Sequence, residues 1–407
     1  MAQDHDGSAD SVEPDPADMD AAEVVGDGEE LTDEEAREHL GVSGGGIDRK
    51  KSIIGGIVAV VFLAIVFTRV IPQIGDYAQA AEYIQAMTTA AIVGLVLVVL
   101  WYLFFYGWPF VAATPGLRYK HGFVVNQSAF TVSNGIPAGG AFGLGLQYAQ
   151  LTSYKTTPTA ATAAIGATGV WSVFVTMFLP VTGVVALSIA GDDASSYLNA
   201  ALLGIGLLAA AIILFALILR SDANAERIGG WADSVVAWVM RLFRKESSVN
   251  MTEQVVKLRH DIVGLVSKRW LVITVVQIGV SWSQFAILYT AMVGVAGQDG
   301  APALLLVYGC WAISQLGIMI PITPGGLGTV DAVMIGLMTS FGIESGLATA
   351  ADLVWRASSY IPQIIIGLIC IFYWRWEINR QRKKAAAAGG LSSAATDDGG
   401  DSDGSAE

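Results

Sequence analysis

Runs of about 20 mostly apolar residues recur along the chain, at 53–71, 89–111, 158–190, 197–219, 270–296, 302–320 and 344–374. A helix needs about 20 such residues to cross the hydrocarbon core of a bilayer. Each run therefore reads as a membrane crossing, and the expected fold class is an all-α polytopic membrane protein. Charged residues make up 14% of the sequence, well under the quarter or so usual in soluble domains. No stretch between the runs is long and mixed enough to bury a core of its own, which argues against a soluble enzyme. The expected organisation is an acidic disordered tail at 1–48, one membrane domain at 49–376 and a flexible tail at 377–407.

Charge is partitioned along the chain. The net charge of −13 resides in the leader, because the first 46 residues hold fifteen carboxylates and one arginine. Such a segment cannot bury enough apolar surface to fold alone, and an acidic leader is unlike the basic start of a secretory signal. In the apolar body, Arg49, Lys50 and Lys51 precede the first run, and Arg118 and Lys120 follow the second. The 220–269 segment is rich in Lys and Arg, and Arg380, Arg382, Lys383 and Lys384 follow the last run. Short loops with excess Lys and Arg stay on the cytoplasmic side, so these groups are expected inside together with both termini, in a multi-pass protein of the cell membrane. The acidic or neutral connections 72–88, 190–196 and 297–301 are expected outside.

That threading forces 118–155 to begin and end inside, and 302–342 to begin and end outside. Each becomes a re-entrant hairpin broken by Pro and Gly. The first bends at Ile136-Pro137-Ala138-Gly139-Gly140 and is followed by Pro180; the second bends at Pro321-Ile322-Thr323-Pro324-Gly325-Gly326 and is followed by Pro362. The offset is nearly constant while the charge-derived orientation reverses. The simplest architecture is an inverted repeat, 53–190 against 197–374, with the cytoplasmic loop 220–269 inside the second copy. Paired interrupted segments in corresponding halves mark substrate sites near the midplane of transporters. Glycine at such bends frees helix-start amides, which can hold an anion such as a lipid phosphate. Pro137, Gly139 and Gly140, with Pro324, Gly325, Gly326 and Gly328, are thus the expected substrate-contacting backbone.

Ionisable side chains inside a bilayer are costly and face a partner or a wet cavity. Asp331, Asp352 and Arg356 are such groups. Asp352 and Arg356 stand four apart and share a helix face. Arg356 is the expected phosphate ligand, with Asp331 or Asp352 holding it or accepting a proton; the alternative is an ion pair that only fixes helix register. Lys155 reads as an interface anchor. The 220–269 segment reads as amphipathic helices on the inner leaflet, with Trp231, Trp238 and Phe243 toward lipid. Cys310 and Cys370 lie in apolar runs, and His5, His39, His121 and His260 have no ligand spacing, so no metal, disulfide or cofactor is expected.

The second bend, continued as Leu327-Gly328-Thr329-Val330-Asp331, resembles the Pro-Gly-Gly-x-Gly-x-x-Glu element of the transmembrane flippase domain of lysylphosphatidylglycerol synthase/flippase proteins and their stand-alone relatives. The resemblance covers roughly 53–376. Asp331 stands in place of the glutamate, and Gln147 and Tyr148 occupy the region where an arginine commonly follows the first bend. The aminoacyl-transfer domain has no counterpart, so the resemblance implies lipid handling without lipid aminoacylation, that is, not an enzyme. Two functions follow. One is a flippase or scramblase for an anionic, phosphate-bearing phospholipid or polyprenyl-linked precursor. The other is a non-transporting membrane subunit partnering an envelope glycosyltransferase or lipid-modifying enzyme. Protein partners expected are a second copy or an envelope-biosynthesis enzyme. Nucleic acid is not expected, since the basic residues interleave with apolar ones beside membrane spans.

Overall fold

The computed structural model describes residues 77–135, 139–190, 220–242, 251–319 and 324–397, with isolated positions between 206 and 217. The acidic leader, the runs 53–71 and 197–219, the 190–196 connection, Pro137 and Pro321–Thr323 fall wholly or mainly outside the described residues. Everything described is helix or connection, with no strand among the described residues.

The elements, in chain order, are α1 (Tyr77–Gln85), α2 (Thr89–Phe105), α3 (Trp108–Ala113), α4 (Tyr119–Gly135), α5 (Gly139–Ser153) and α6 (Pro158–Ala190). They continue as α7 (Asp222–Leu242), α8 (Met251–Ala296), α9 (Leu304–Ser314), two short 3₁₀ turns (Gln315–Met319 and Pro324–Gly326), α10 (Thr329–Ser340) and α11 (Ser345–Asp397). Four helical stretches are long and apolar enough to cross a bilayer: Thr89–Ala113, Pro158–Ala190, Lys268–Ala296 and Ser345–Gln381. They coincide with four of the seven runs read from the sequence.

The 89–111 run is split, not continuous. Gly107 separates α2 from α3, and Pro109 stands in the first turn of α3, where its missing N–H costs nothing and its ring ends the preceding helix. Gly107 also lets the Tyr119 ring come so near that a β-carbon would lie 2.7 Å from it. The 302–320 run is likewise broken, since α9 gives way at Gln315 to a 3₁₀ turn. Pro180 and Pro362 both lie inside continuous helices, α6 and α11. α11 stays helical to Asp397, well beyond Trp376. The 220–269 segment contains α7 and the start of α8, which pack together: Thr252 donates its hydroxyl to Asp233 at 2.6 Å, and Trp231 is exposed.

Two apolar cores hold the bundle. The larger joins α2, α8, α9, α10 and α11 around Tyr102, Leu288, Met292, Trp311 and Met334; the smaller joins α3, α4, α5 and α6 around Phe110, Leu151, Ala163 and Ala164. Small residues set the closest helix approaches, as expected where lipid provides no hydrophobic drive between helices. Gly183 of α6 lies against Gly309 and Ala312 of α9, and Gly367 of α11 lies against Gln127 and Thr131 of α4. Buried polar links cross between helices. Gln284 donates to the Tyr102 hydroxyl at 2.6 Å, and Tyr102 donates to Gln363 Oε1 at 2.9 Å, tying α8, α2 and α11 together.

Candidate functional site

The bend before α10 is made of glycines because its backbone demands them. Gly325, Gly326 and Gly328 all have positive φ, at 62°, 69° and 86°, where a β-carbon is strained. Crowding adds to this at Gly325, whose missing β-carbon leaves room for the Tyr360 hydroxyl and for Asn134 Oδ1. Asn134 lies near the C-terminus of α4, just ahead of the first Pro/Gly bend. The end of α4 therefore meets the second bend through Asn134 and Gly325. Gly139 at the start of α5 packs on the carbonyls of Val132 and Ser133, whereas Gly140 faces open space. Of the two described first-bend glycines, Gly139 has a close-packing requirement and Gly140 has none, and Pro137 lies outside the described residues.

Asp331, at the third position of α10, is 1% exposed. Its Oδ2 accepts the Gly328 N–H at 2.6 Å, and its Oδ1 accepts Arg356 Nε at 2.5 Å. A carboxylate in the first helical turn satisfies an unpaired amide and the positive end of the helix dipole. The sequence reading left those amides open for a ligand; here the protein's own Asp331 carboxylate answers the helix start. Asp331 thus takes one amide of the bend, the Gly328 N–H, and places its negative charge beside the Arg356 guanidinium.

Arg356 projects from α11 and is held on several sides. Beside the Asp331 contact, its Nη1 donates to the Tyr360 hydroxyl at 3.3 Å, and that hydroxyl donates to the Gly325 carbonyl at 3.0 Å. The guanidinium carbon sits 4.4 Å from the Trp355 ring centre and 5.3 Å from that of Tyr360, cation–π distances. Nη2, buried, has no hydrogen-bond partner. Asp352, one turn earlier, is also buried, and its Oδ1 has no partner. It stands within electrostatic reach of Asp331 and Arg356, but the direct ion pair of Arg356 is with Asp331. Of the two carboxylates the sequence offered as its holder, the structure selects Asp331. Pro324 opens the 3₁₀ turn leading into the bend. No group of three His, Cys, Asp or Glu side chains able to hold a metal occurs among the described residues.

Tyr360, Trp355 and Asn134 were not singled out from the sequence. Tyr360 could have been, since it follows Arg356 by one helical turn and shares its face. Asn134 had a weaker signal, a polar residue three positions before a proline in a semi-polar segment.

A buried guanidinium and two carboxylates, gathered where interrupted helices meet inside a bundle of apolar ones, define a polytopic helical membrane protein with an ionisable centre in its interior. The sequence places that class more closely. Residues 52–367 match the lysylphosphatidylglycerol synthase TM region, and the chain belongs to this family. A UPF0104 membrane protein from Methanothermobacter thermautotrophicus is 33% identical over 87 residues, covering 21% of this chain and 24% of that protein. A UPF0104 membrane protein of Methanocaldococcus jannaschii is 34% identical over 80 residues, 20% of this chain and 24% of its own length. A longer match to a UPF0104 membrane protein of M. thermautotrophicus, 27% identical over 195 residues, covers 46% of this chain and 56% of that protein. These matches span between a quarter and a little over half of the relatives' lengths.

Proposed function

We propose that the protein is a flippase or scramblase that moves a phosphate-bearing lipid between leaflets, with Arg356 meeting the phosphate beside the Gly325-Gly326 bend. The observation that carries this reading is the unpartnered Nη2 of a buried guanidinium whose other nitrogens are fixed by Asp331 and Tyr360. A buried charged donor left unpaired costs free energy, and an arriving phosphate oxygen would satisfy it with a charge-assisted bond. Membership of the lysylphosphatidylglycerol synthase TM family supports a lipid as the cargo. In this reading α4–α5 and α9–α10 are re-entrant hairpins from opposite sides whose bends meet at the ionisable centre, and the halves are an inverted repeat. The exchange of packing supports it, with α6 of the first half against α9 of the second, and α11 of the second against α4 of the first.

Reconstitution into liposomes carrying labelled lipids in one leaflet tests this directly. Leaflet exchange should exceed that of empty vesicles and be selective for phosphate-bearing headgroups. Exchange no faster than in empty vesicles would sink the transport reading in favour of a non-transporting subunit. Arg356→Lys keeps the charge but loses the planar fork, so it should fold normally and move lipid at least tenfold more slowly. A wild-type rate in Arg356→Lys would remove the arginine from the transport step.

A further inference from the structure

A second feature lies at the opposite end of α4 from Asn134. A cavity of about 680 Å³ opens between the α3–α4 connection, the first turn of α4, the end of α5 and Gln381 of α11. Arg118, Lys155 and His121 line it, and its described lining holds no carboxylate, although Glu377 stands within electrostatic reach of His121 and Tyr154. The nearby Glu377 carboxylate is engaged by Lys120 at 3.7 Å, while neither Arg118 nor Lys155 has an ion-pair partner among the described residues.

Two tight turns build the walls. In Thr114-Pro115-Gly116-Leu117 the Leu117 N–H donates to the Thr114 carbonyl at 3.2 Å and Gly116 has φ 78°, a type II arrangement with Pro and Gly at their preferred positions. The end of α5 closes with Lys155 N–H on the Thr152 carbonyl at 3.0 Å and Thr156 N–H on the Leu151 carbonyl at 3.2 Å. This is a Schellman closure, whose left-handed position ordinarily belongs to glycine. Here Lys155 fills it with φ 68°, the one positive-φ residue other than glycine among the described residues. A β-carbon in that conformation is strained. Strain of this kind persists where the surroundings require a particular side chain, and the side chain kept here is a cation at the rim of a basic cavity. The His121 ring, stacked on Tyr154 at 3.9 Å and nearly parallel to it, stiffens the wall between the turns. The buried Thr114 hydroxyl has no hydrogen-bond partner.

We propose that this cavity binds the phosphate of a lipid headgroup in the adjoining leaflet, through Lys155 and Arg118, as a docking site separate from the Arg356 centre. Its occupant is a phosphodiester or phosphomonoester anion; that the anion arrives on a lipid rests on the transport reading, whereas the anion site does not.

Calorimetric titration of the purified full-length chain in detergent tests both parts, with short-chain phosphatidylglycerol, short-chain phosphatidylcholine and inorganic phosphate as probes. Phosphatidylglycerol should bind more tightly than phosphatidylcholine or phosphate. Lys155→Gly should weaken it about tenfold while leaving the thermal midpoint unchanged or raised, because glycine relieves the left-handed strain. The Lys155→Gly/Arg118→Gln double variant should weaken it further. Unchanged affinity in the double variant overturns the site. Binding of inorganic phosphate without the short-chain lipid overturns the lipid assignment and leaves a free-anion site. Wild-type liposomes that show no leaflet exchange, yet bind phosphatidylglycerol through Lys155, would separate the two proposals, with transport failing and this site standing.

Discussion

Asp331 has two jobs, and they predict different outcomes for two small changes. Asp331→Asn leaves the Arg356 charge buried without its counter-ion and weakens the start of α10. Breaking a buried pair from one side costs about 3–5 kcal/mol, so the thermal midpoint in detergent should fall by several degrees. Asp331→Glu keeps the charge at the third helical position, where a glutamate also reaches back to the amide before the helix. It should leave the midpoint within about 2 °C, and a loss as large as that of Asp331→Asn would contradict the capping role. The identity of these groups was legible in the sequence, because charge in an apolar run is conspicuous. Their pairing was not. Helical spacing shows that Asp352 and Arg356 share a face, yet which neighbouring helix brings a second carboxylate to that face is a tertiary fact. The bend before α10 delivers Asp331 there, through three glycine dihedrals that no periodicity encodes.

Elements repeat the same division between what spacing reveals and what packing decides. The long helices α6 and α11 were readable because each contains an apolar stretch longer than a membrane crossing needs. The breaks at Gly107 and Gln315 were harder, since apolar composition continues across them and only Pro109 and close ring packing interrupt the first. Glycines divide likewise. At Gly325 a methyl group would require both a left-handed alanine and displacement of Tyr360 and Asn134, so Gly325→Ala should destabilise the protein by about 2 kcal/mol and abolish any lipid exchange. Gly336, inside α10 with open space where its β-carbon would point, is the contrast. Gly336→Ala should be neutral or stabilising by about 0.5–1 kcal/mol through helix propensity. Equal thermal midpoints for the two variants would mean that the bend is not the constraint its dihedrals describe.

Across the whole molecule, the ends of the bundle differ in charge. At one end, Arg269 donates to the Ala112 carbonyl at 3.0 Å, Trp374 donates to Ser153 Oγ at 2.9 Å and Lys120 pairs with Glu377. The same end carries Arg118, Lys155 and Arg380, so the start of α4, the turn after α5 and the bodies of α8 and α11 all bring cations there. The other end is acidic or neutral: Tyr83 donates to Glu344 at 2.6 Å, Gln79 also bonds Glu344, and Asp299 lies in the connection from α8 to α9. Basic connections remain on the cytoplasmic side during insertion, so the proposed orientation puts Arg380 inside and Asp299 outside. Cys310 and Cys370 are buried, and replacing both by alanine gives a background for single reporters. In intact cells, a membrane-impermeant maleimide should label Asp299→Cys at once and Arg380→Cys only after permeabilisation. The reverse pattern would invert the whole topology and with it the side from which each broken hairpin enters. In the proposed architecture, that inversion would leave the contact between Asn134 and Gly325 in place and would change only which leaflet meets the basic cavity.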